Sequence, residues 1–261
     1  MNRCLVIFMG TGKYWELARD AILNWRTQLD NDGYLINYLL LTDKHEKCIF
    51  LDKQPDVIVR YCPKLTFPLP TLLRYHFFLE NQDVLENYDY VFFANADMRI
   101  VGKWSVKELL PQEGYNLVGI AHPGFYLGTN ENYTGGYPEG PSEQWGVWMD
   151  KKTCAYKVPP YIGYKLTSYY IIGAFQGGKK DNFIKMCEIL KDQIDIDLKN
   201  NHIPKWHDET MKNWYAQYNE KFQCLPPTYC QPEIKDNDWP LFGPGPTKIL
   251  KLRKDHAQIR S

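Results

Sequence analysis

Short apolar runs of strand length alternate with segments of helical period from residue 4 to residue 94, and that alternation restricts the chain to an α/β architecture. Residues 4–8, Cys-Leu-Val-Ile-Phe, are apolar throughout, as a strand covered on both faces must be. Residues 15–29 then carry Leu17, Ala21, Ile22 and Trp25 at helical spacing, and the Asn31-Asp32-Gly33 turn ends them. Further strands are expected at 34–41, 57–61 and 90–94. Between the last two, the prolines at 63, 68 and 70 mark a loop. Thr71 is placed to cap a helix running to about residue 87, with Leu72, Leu73, Phe77 and Leu79 toward the core. Strand and helix in turn build a mostly parallel sheet with crossover helices.

Beyond residue 110 the pattern loosens. Residues 114–142 are rich in Gly, Pro, Asn and Tyr, which suggests long ordered loops, and 150–169 have no clean period. A helix is expected from a cap at Asp181, with Phe183, Cys187, Leu190 and Ile194 on one face. Another should open at Asp208, with Met211, Trp214, Tyr215 and Tyr218 as its apolar stripe. Nothing resembling a repeat or a linker divides the chain, so a single domain is expected over 1–261, sheet-rich to about 110 and loop-rich after it.

Charge and cysteine content narrow the function classes. The 31 basic and 31 acidic residues cancel, so no global field favours nucleic acid or an anionic membrane. No run approaches the ~20 apolar residues of a membrane span. The seven cysteines are odd in number and contain no C-x-x-C, which argues against a disulfide framework or a zinc ribbon. With no signal peptide visible, a cytoplasmic protein is expected, with a place at the periphery of membrane glycan synthesis left open. Aromatic residues make up 15% of the chain; such rings stack on sugars, and they also fill cores.

Five segments hold side chains suited to chemistry. Residues 92–97 end an apolar strand in the triplet Asn95-Ala96-Asp97, and ligands of open α/β sheets sit beyond the carboxyl ends of strands. Alternation places Asn95 and Asp97 on one face. Two acids there would clamp a divalent cation against a diphosphate; Asn95 removes one charge, and a plain strand-end turn uses the same residues. Trp206-His207-Asp208-Glu209 opens an expected helix, whose dipole keeps Glu209 ionised for work as a nucleophile or as the stabiliser of an oxocarbenium-like centre. Capping by Asp208 would use the same residues. Residues 171–178, Ile-Ile-Gly-Ala-Phe-Gln-Gly-Gly, read as a loop that admits a ligand to the backbone, or as an ordinary turn. His122-Pro123-Gly124-Phe125-Tyr126 suits hydroxyl recognition, or holds a structural histidine. Lys254 and Arg260 form a diphosphate clamp or a solvated basic tail.

In chain order, Thr11-Gly12-Lys13-Tyr14, Leu72-Leu73-Arg74, Phe93-Ala94-Asn95-Ala96-Asp97-Met98, His122-Pro123-Gly124-Phe125-Tyr126, Ile172-Gly173-Ala174-Phe175-Gln176-Gly177-Gly178, Trp206-His207-Asp208-Glu209 and Lys254-Asp255-His256-Ala257-Gln258-Ile259-Arg260 resemble glycosyltransferase family 6. This is the family of the histo-blood-group A and B transferases and α-1,3-galactosyltransferase. The short chain resembles its bacterial branch or a bare catalytic domain. The resemblance implies a GT-A fold, with a nucleotide-binding half to about residue 110 and an acceptor half with a C-terminal tail over 111–261. It implies retaining transfer of galactose or N-acetylgalactosamine from a UDP-sugar to a galactose-type glycan acceptor in α-1,3 linkage. Met9, Gly10, Thr11 and Tyr14 match the stretch that holds uridine, and Arg74 the arginine near the donor sugar. Asn95 and Asp97 occupy the D-x-D positions, and Ile172, Gly173 and Ala174 the stretch that reads the donor's C2 substituent. Asp208 matches a residue that holds the donor sugar, and Glu209 the catalytic carboxylate. His122, Thr134 and Trp206 match acceptor contacts, and Lys254 and Arg260 the tail that closes over the diphosphate.

Two departures shape the expectations. Animal members carry D-x-D and need Mn²⁺, whereas bacterial relatives with N-x-N are metal-independent; Asn95-Ala96-Asp97 is a hybrid. No strict cofactor requirement is expected, with Asp97 the residue left to hold Mn²⁺ and with Lys254 and Arg260 neutralising the leaving group. The family's basic Glu-Arg-Arg stretch after the Thr134 position is replaced by Gly135-Gly136-Tyr137-Pro138, followed by an insertion through about Tyr164, so the acceptor transfers least. The bulk of Ile172 and Ala174 favours UDP-galactose. Two other readings stand beside this one. The first is an enzyme of related fold, making another linkage or transferring a nucleotidyl group. The second is a carbohydrate-binding module, which would leave Arg74, Asp97, Glu209 and the basic tail without a task. The sequence carries no signal for oligomeric state.

Overall fold

The computed structural model describes residues 1–123, 152–153, 170–233, 245–255 and 259. Its strands are β1 (Arg3–Met9), β2 (Leu29–Asp30), β3 (Leu35–Thr42), β4 (Val57–Tyr61), β5 (Tyr90–Asn95), β6 (Met98–Ile100), β7 (Trp104–Ser105), β8 (Leu117–Ala121), β9 (Ile171–Lys179), β10 (Phe222–Leu225), β11 (Gln231–Pro232) and β12 (Ile249–Lys251). Its α-helices are α1 (Tyr14–Gln28), α2 (Ile49–Asp52), α3 (Leu69–Leu72), α4 (Arg74–Glu80), α5 (Gln82–Leu85), α6 (Lys180–Lys199) and α7 (Asp208–Tyr218).

Seven strands form the central sheet in the order β10-β8-β9-β5-β1-β3-β4. All run parallel except β9, which lies antiparallel between β5 and β8. This is the Rossmann-like GT-A arrangement that the family resemblance implies. The apolar run of β1 explains why the sheet is covered on both sides. Val6 and Phe8 pack with Ala21, Ile22 and Trp25 of α1, whereas Leu5 and Ile7 pack with Phe78 of α4 and with Phe183 and Leu190 of α6. No helix among the described residues is long and apolar enough to cross a membrane.

Four local expectations are corrected. The helix from Thr71 to about residue 87 is three short ones, α3 to α5, and Thr71 Oγ1 donates to Pro68 O at 2.7 Å instead of capping. The break at Asn81 has a local cause, since Asn81 Nδ2 donates to Phe77 O at 2.8 Å and competes with the helical ladder. Asp181 lies inside the first turn of α6, behind Lys179 as the cap. The loosening after residue 110 hides β8 and β10, of which β8 is fully buried.

The main correction is the segment 171–178, which is strand rather than loop. Its glycines serve close packing: a Cβ on Gly177 would stand 2.4 Å from Phe92 Cδ1 and 2.5 Å from Val91 O. The strand nonetheless has an irregular stretch. Ala121 pairs with Ile171 and Gly119 with Gln176, so Ile120 alone faces residues 172–175. Pairing with β5 on the other side reaches only Phe175. Residues 172–174 therefore form a bulge without a ladder partner on either side.

A second, three-stranded sheet of order β11-β12-β6 brings the C-terminal part of the chain to the site. Lys251 of β12 pairs with Met98 of β6, directly after the Asn95-Ala96-Asp97 turn.

Candidate active site

One edge of the central sheet gathers the residues singled out above. Met9 and Asn95 are paired at the carboxyl ends of β1 and β5, and the reversed strand β9 begins at that same edge. A cleft of about 570 Å³ opens there. The turn after β1 contributes Thr11, Gly12 and Tyr14, and the Pro-rich segment contributes Lys64, Phe67 and Thr71, followed by Arg74. Asn95, Ala96 and Asp97 form another wall, and Lys251, Lys254 and Ile259 close it from the chain end. Gly10 lies off the lining and donates its N–H to Leu41 O at 2.9 Å.

Asp97 anchors the chain end. Its carbonyl accepts from Leu252 N at 2.8 Å, and its Oδ2 meets Lys254 Nζ at 2.5 Å. The same ammonium stands 5.2 Å from the centre of the Tyr14 ring, which joins the tail to the wall after β1. Asp97 is 1% exposed, and its Oδ1 has no hydrogen-bond partner among the described residues. Lys251 is largely buried; that burial would lower its pKa, but Cys230, Asp97, Glu209 and Asp208 together raise it.

The motif offers a divalent cation few ligands. The two motif positions offer a single carboxylate, already paired with an ammonium, and a neutral amide. Among the described residues, no group of three or more His, Cys, Asp or Glu side chains is arranged to hold a metal.

At the inner end of the cleft Arg74 connects this wall to α7. Its guanidinium lies over the Phe93 ring at 4.5 Å, donates to Gly173 O at 3.1 Å and pairs with Asp208 Oδ2 at 3.1 Å. The Arg74–Asp208 contact is an ion pair off the line of a hydrogen bond. Asp208 Oδ2 is therefore buried without a hydrogen-bond partner among the described residues, and Arg74 Nε lacks one as well. Burial raises the Asp208 pKa, against the pull of Arg74 and Lys212. Glu209 Oε2 accepts from Gly173 N at 2.5 Å. A side chain at 173 would crowd both acids, since a Cβ there would lie 3.1 Å from Glu209 Oε2 and 3.3 Å from Asp208 Oδ2. His207, just before α7, holds φ +55° and ψ −128°, a conformation rare for a residue with a side chain.

The remaining site residues fall into four groups. Ile172 and Ala174 are buried on either side of Gly173 rather than on the cleft lining. His122 follows β8, with its N–H bonded to Tyr170 O at 2.8 Å; burial, with Lys251 and Lys212 nearby, lowers its pKa to about 3. Trp206 is 43% exposed one turn ahead of Glu209, whose N–H bonds Trp206 O at 3.1 Å. Thr134 and Arg260 lie outside the described residues, as do Gly124, Phe125 and Tyr126. Sequence reasoning missed Lys64 and Lys251 on the cleft and Lys212 beneath it. Lys212 is fully buried on the helix that carries Glu209, and no sequence signal distinguishes it from a surface lysine.

A GT-A sheet carries an N-x-D turn and a cationic chain end on one cleft; Asp208 and Glu209 lie off its lining, and α7 is tied to it through Arg74, in the arrangement of a GT-A transferase. No protein-family model matches the chain. It is 32% identical over 198 residues to the O-antigen biosynthesis glycosyltransferase WbnI of Escherichia coli, covering 75% of this chain and 74% of that protein. It is 28% identical over 178 residues to histo-blood group ABO system transferase 2 of Rattus norvegicus, covering 66% of this chain and 45% of that protein. The chain belongs to glycosyltransferase family 6.

Proposed function

We propose that the protein is a retaining galactosyltransferase. It moves galactose from UDP-galactose to the 3-hydroxyl of a galactose-type glycan, forms an α-1,3 linkage and needs no metal. One observation carries this reading. Arg74 lines the cleft and also pairs with Asp208, so the cations at Lys251 and Lys254 and the carboxylate of Glu209 belong to one site.

In the reaction the bond between the anomeric carbon and the β-phosphate oxygen breaks, and its electron pair leaves with UDP. Lys254 and Lys251 meet the charge on the departing diphosphate, joined by Arg260 of the tail. Glu209 meets the positive charge that grows at the anomeric carbon, as covalent nucleophile or as charge partner beneath the ring. The acceptor hydroxyl bonds the carbon with net retention and gives up its proton to a phosphate oxygen of UDP. Met9, Thr11 and Tyr14 hold the uridine side, with Gly10 packed behind them, and Asn95 and Asp97 border the diphosphate. The family resemblance assigns His122, Thr134 and Trp206 to the acceptor.

The donor preference rests on bulk. Ile172 and Ala174, buried on either side of Gly173 rather than on the cleft lining, leave the backbone there little room to yield to an N-acetyl group at hexose C2, a steric effect of about 1–3 kcal/mol. The reduced cysteines support a cytoplasmic setting: Cys4, Cys48, Cys62, Cys187, Cys224 and Cys230 are all free thiols.

Competition of UDP-galactose and UDP-N-acetylgalactosamine at equal concentration, over a panel of galactose-terminated acceptors with mass readout, tests the reading. Nuclear magnetic resonance then fixes linkage and anomeric configuration. An α-1,3-galactosyl product is expected; a β-linked product or faster N-acetylgalactosamine transfer contradicts it.

A further inference from the structure

The bulge in β9 poses an accounting problem. Residues 172–174 have no ladder partner, yet they lie at the buried edge of a seven-stranded sheet, where every backbone group needs a partner. Charged and amide side chains supply them. Asn213 forms a two-bond pair with Ile171, accepting from its N–H and donating to its carbonyl, each at 2.8 Å. Glu209 takes the Gly173 N–H, and Arg74 takes the Gly173 carbonyl.

Lys212 takes two further carbonyls. Its Nζ donates to Ile172 O and, at 3.3 Å, to Phe175 O, so one ammonium bridges the two ends of the bulge. Lys212 is fully buried, an arrangement tolerated only when the charge is paired and hydrogen-bonded. It stands three residues after Glu209 and four after Asp208, on the same face of α7. Those two carboxylates are the charges that favour its ammonium form, while Arg74 opposes it.

We propose that Lys212 is a positioning residue that fixes the shape of the Ile172–Phe175 bulge and, through it, the choice between hexose donors. The second half of this inference rests on the donor reading above; the first half does not. A hydrophobic side chain at 212 would leave the carbonyls of Ile172 and Phe175 without a donor. The bulge would then relax, and the space around Gly173 would change while Glu209 stayed on its helix. Lys212 is not on the cleft lining, so it reaches the site through the bulge it holds and through its charge beside Glu209 and Asp208.

Lys212→Met tests this with two readouts. The first needs no substrate: hydrogen exchange of the segment 170–176, followed by mass spectrometry, should accelerate at least tenfold over wild type. The second is UDP release from UDP-galactose and from UDP-N-acetylgalactosamine without acceptor. The ratio of their kcat/KM values should fall at least tenfold, while calorimetric affinity for UDP itself changes less than threefold. Unchanged exchange in a folded variant overturns the clamp, and faster exchange with an unchanged donor ratio overturns its link to donor choice. Absence of UDP release from both donors by wild type would instead refute the donor reading, leaving the exchange result to decide the clamp. Should Lys212→Met not fold, Lys212→Leu, which likewise offers the two carbonyls no donor, is read in the same way. If neither folds, Lys212 serves stability and the proposal falls.

Discussion

Arg74 Nη1 stands 3.1 Å from Asp208 Oδ2, and both side chains are less than a tenth exposed. The pair joins α4 to α7 across the end of the sheet and sets the inner wall of the cleft. Removing one partner strands the other charge. Arg74→Ala is therefore expected to cost about 3–5 kcal/mol of stability, the usual consequence of breaking a buried pair. Thermal melting measures it, and a variant that melts within a degree of wild type would mean the pair is not buried in solution.

Glu209 should separate binding from turnover. Glu209→Gln keeps an oxygen for the Gly173 N–H but removes the charge. UDP affinity by calorimetry should stay within about threefold, whereas transfer should fall by about 10²–10³, the size of a lost electrostatic stabiliser.

Lys254 occupies Asp97, where a metal-dependent relative would hold its cation. Activity should survive dialysis against a chelator and change less than twofold when Mn²⁺ is restored. Lys254→Ala should weaken UDP binding at least tenfold, because the leaving diphosphate loses its nearest cation. Loss of activity on chelation with recovery in Mn²⁺ would contradict the assignment.

Lys212 predicts an alkaline limb. Burial lowers its pKa to about 8, against the pull of Glu209 and Asp208. Its charged neighbours are Glu209, Asp208 and Arg74, the last of which keeps its charge. The titratable groups on the strand side lie away from this value: burial lifts Cys230 to about 12 and raises Cys224, and it takes His122 down to about 3. The rate of donor cleavage should therefore decline as pH rises through about 8, a limb missing in Lys212→Met. The stability effect runs the other way. The unfolded chain holds this proton up to the ordinary lysine value, so the cost of burying it is full below pH 8 and fades above. Between pH 8 and 10 wild type should lose less stability than Lys212→Met, as melting curves would record.

The sequence made the first half of the sheet legible because β1, β3, β4 and β5 are apolar runs bounded by turn residues. It misled at 171–178, where glycines that make room for Phe92 look the same as glycines that make a turn. The motif residues Arg74, Asp97, Asp208, Glu209 and Lys254 could each be picked out as candidates. Their meeting could not, since it depends on β12 pairing with β6 and on Arg74 reaching Asp208 of α7. Lys212 was hidden for a different reason. Its burial follows from the unpaired carbonyls of a bulge, and a bulge exists only once two strands are set side by side.

The central claim is that one cleft holds the nucleotide at Tyr14 and Lys254 and the hexose at Glu209. A crystal structure of Glu209→Gln with UDP-galactose tests it most directly. The account expects the diphosphate against Lys254 and the anomeric carbon in van der Waals contact with residue 209. A hexose seated away from α7, or a nucleotide bound outside the cleft, would contradict it.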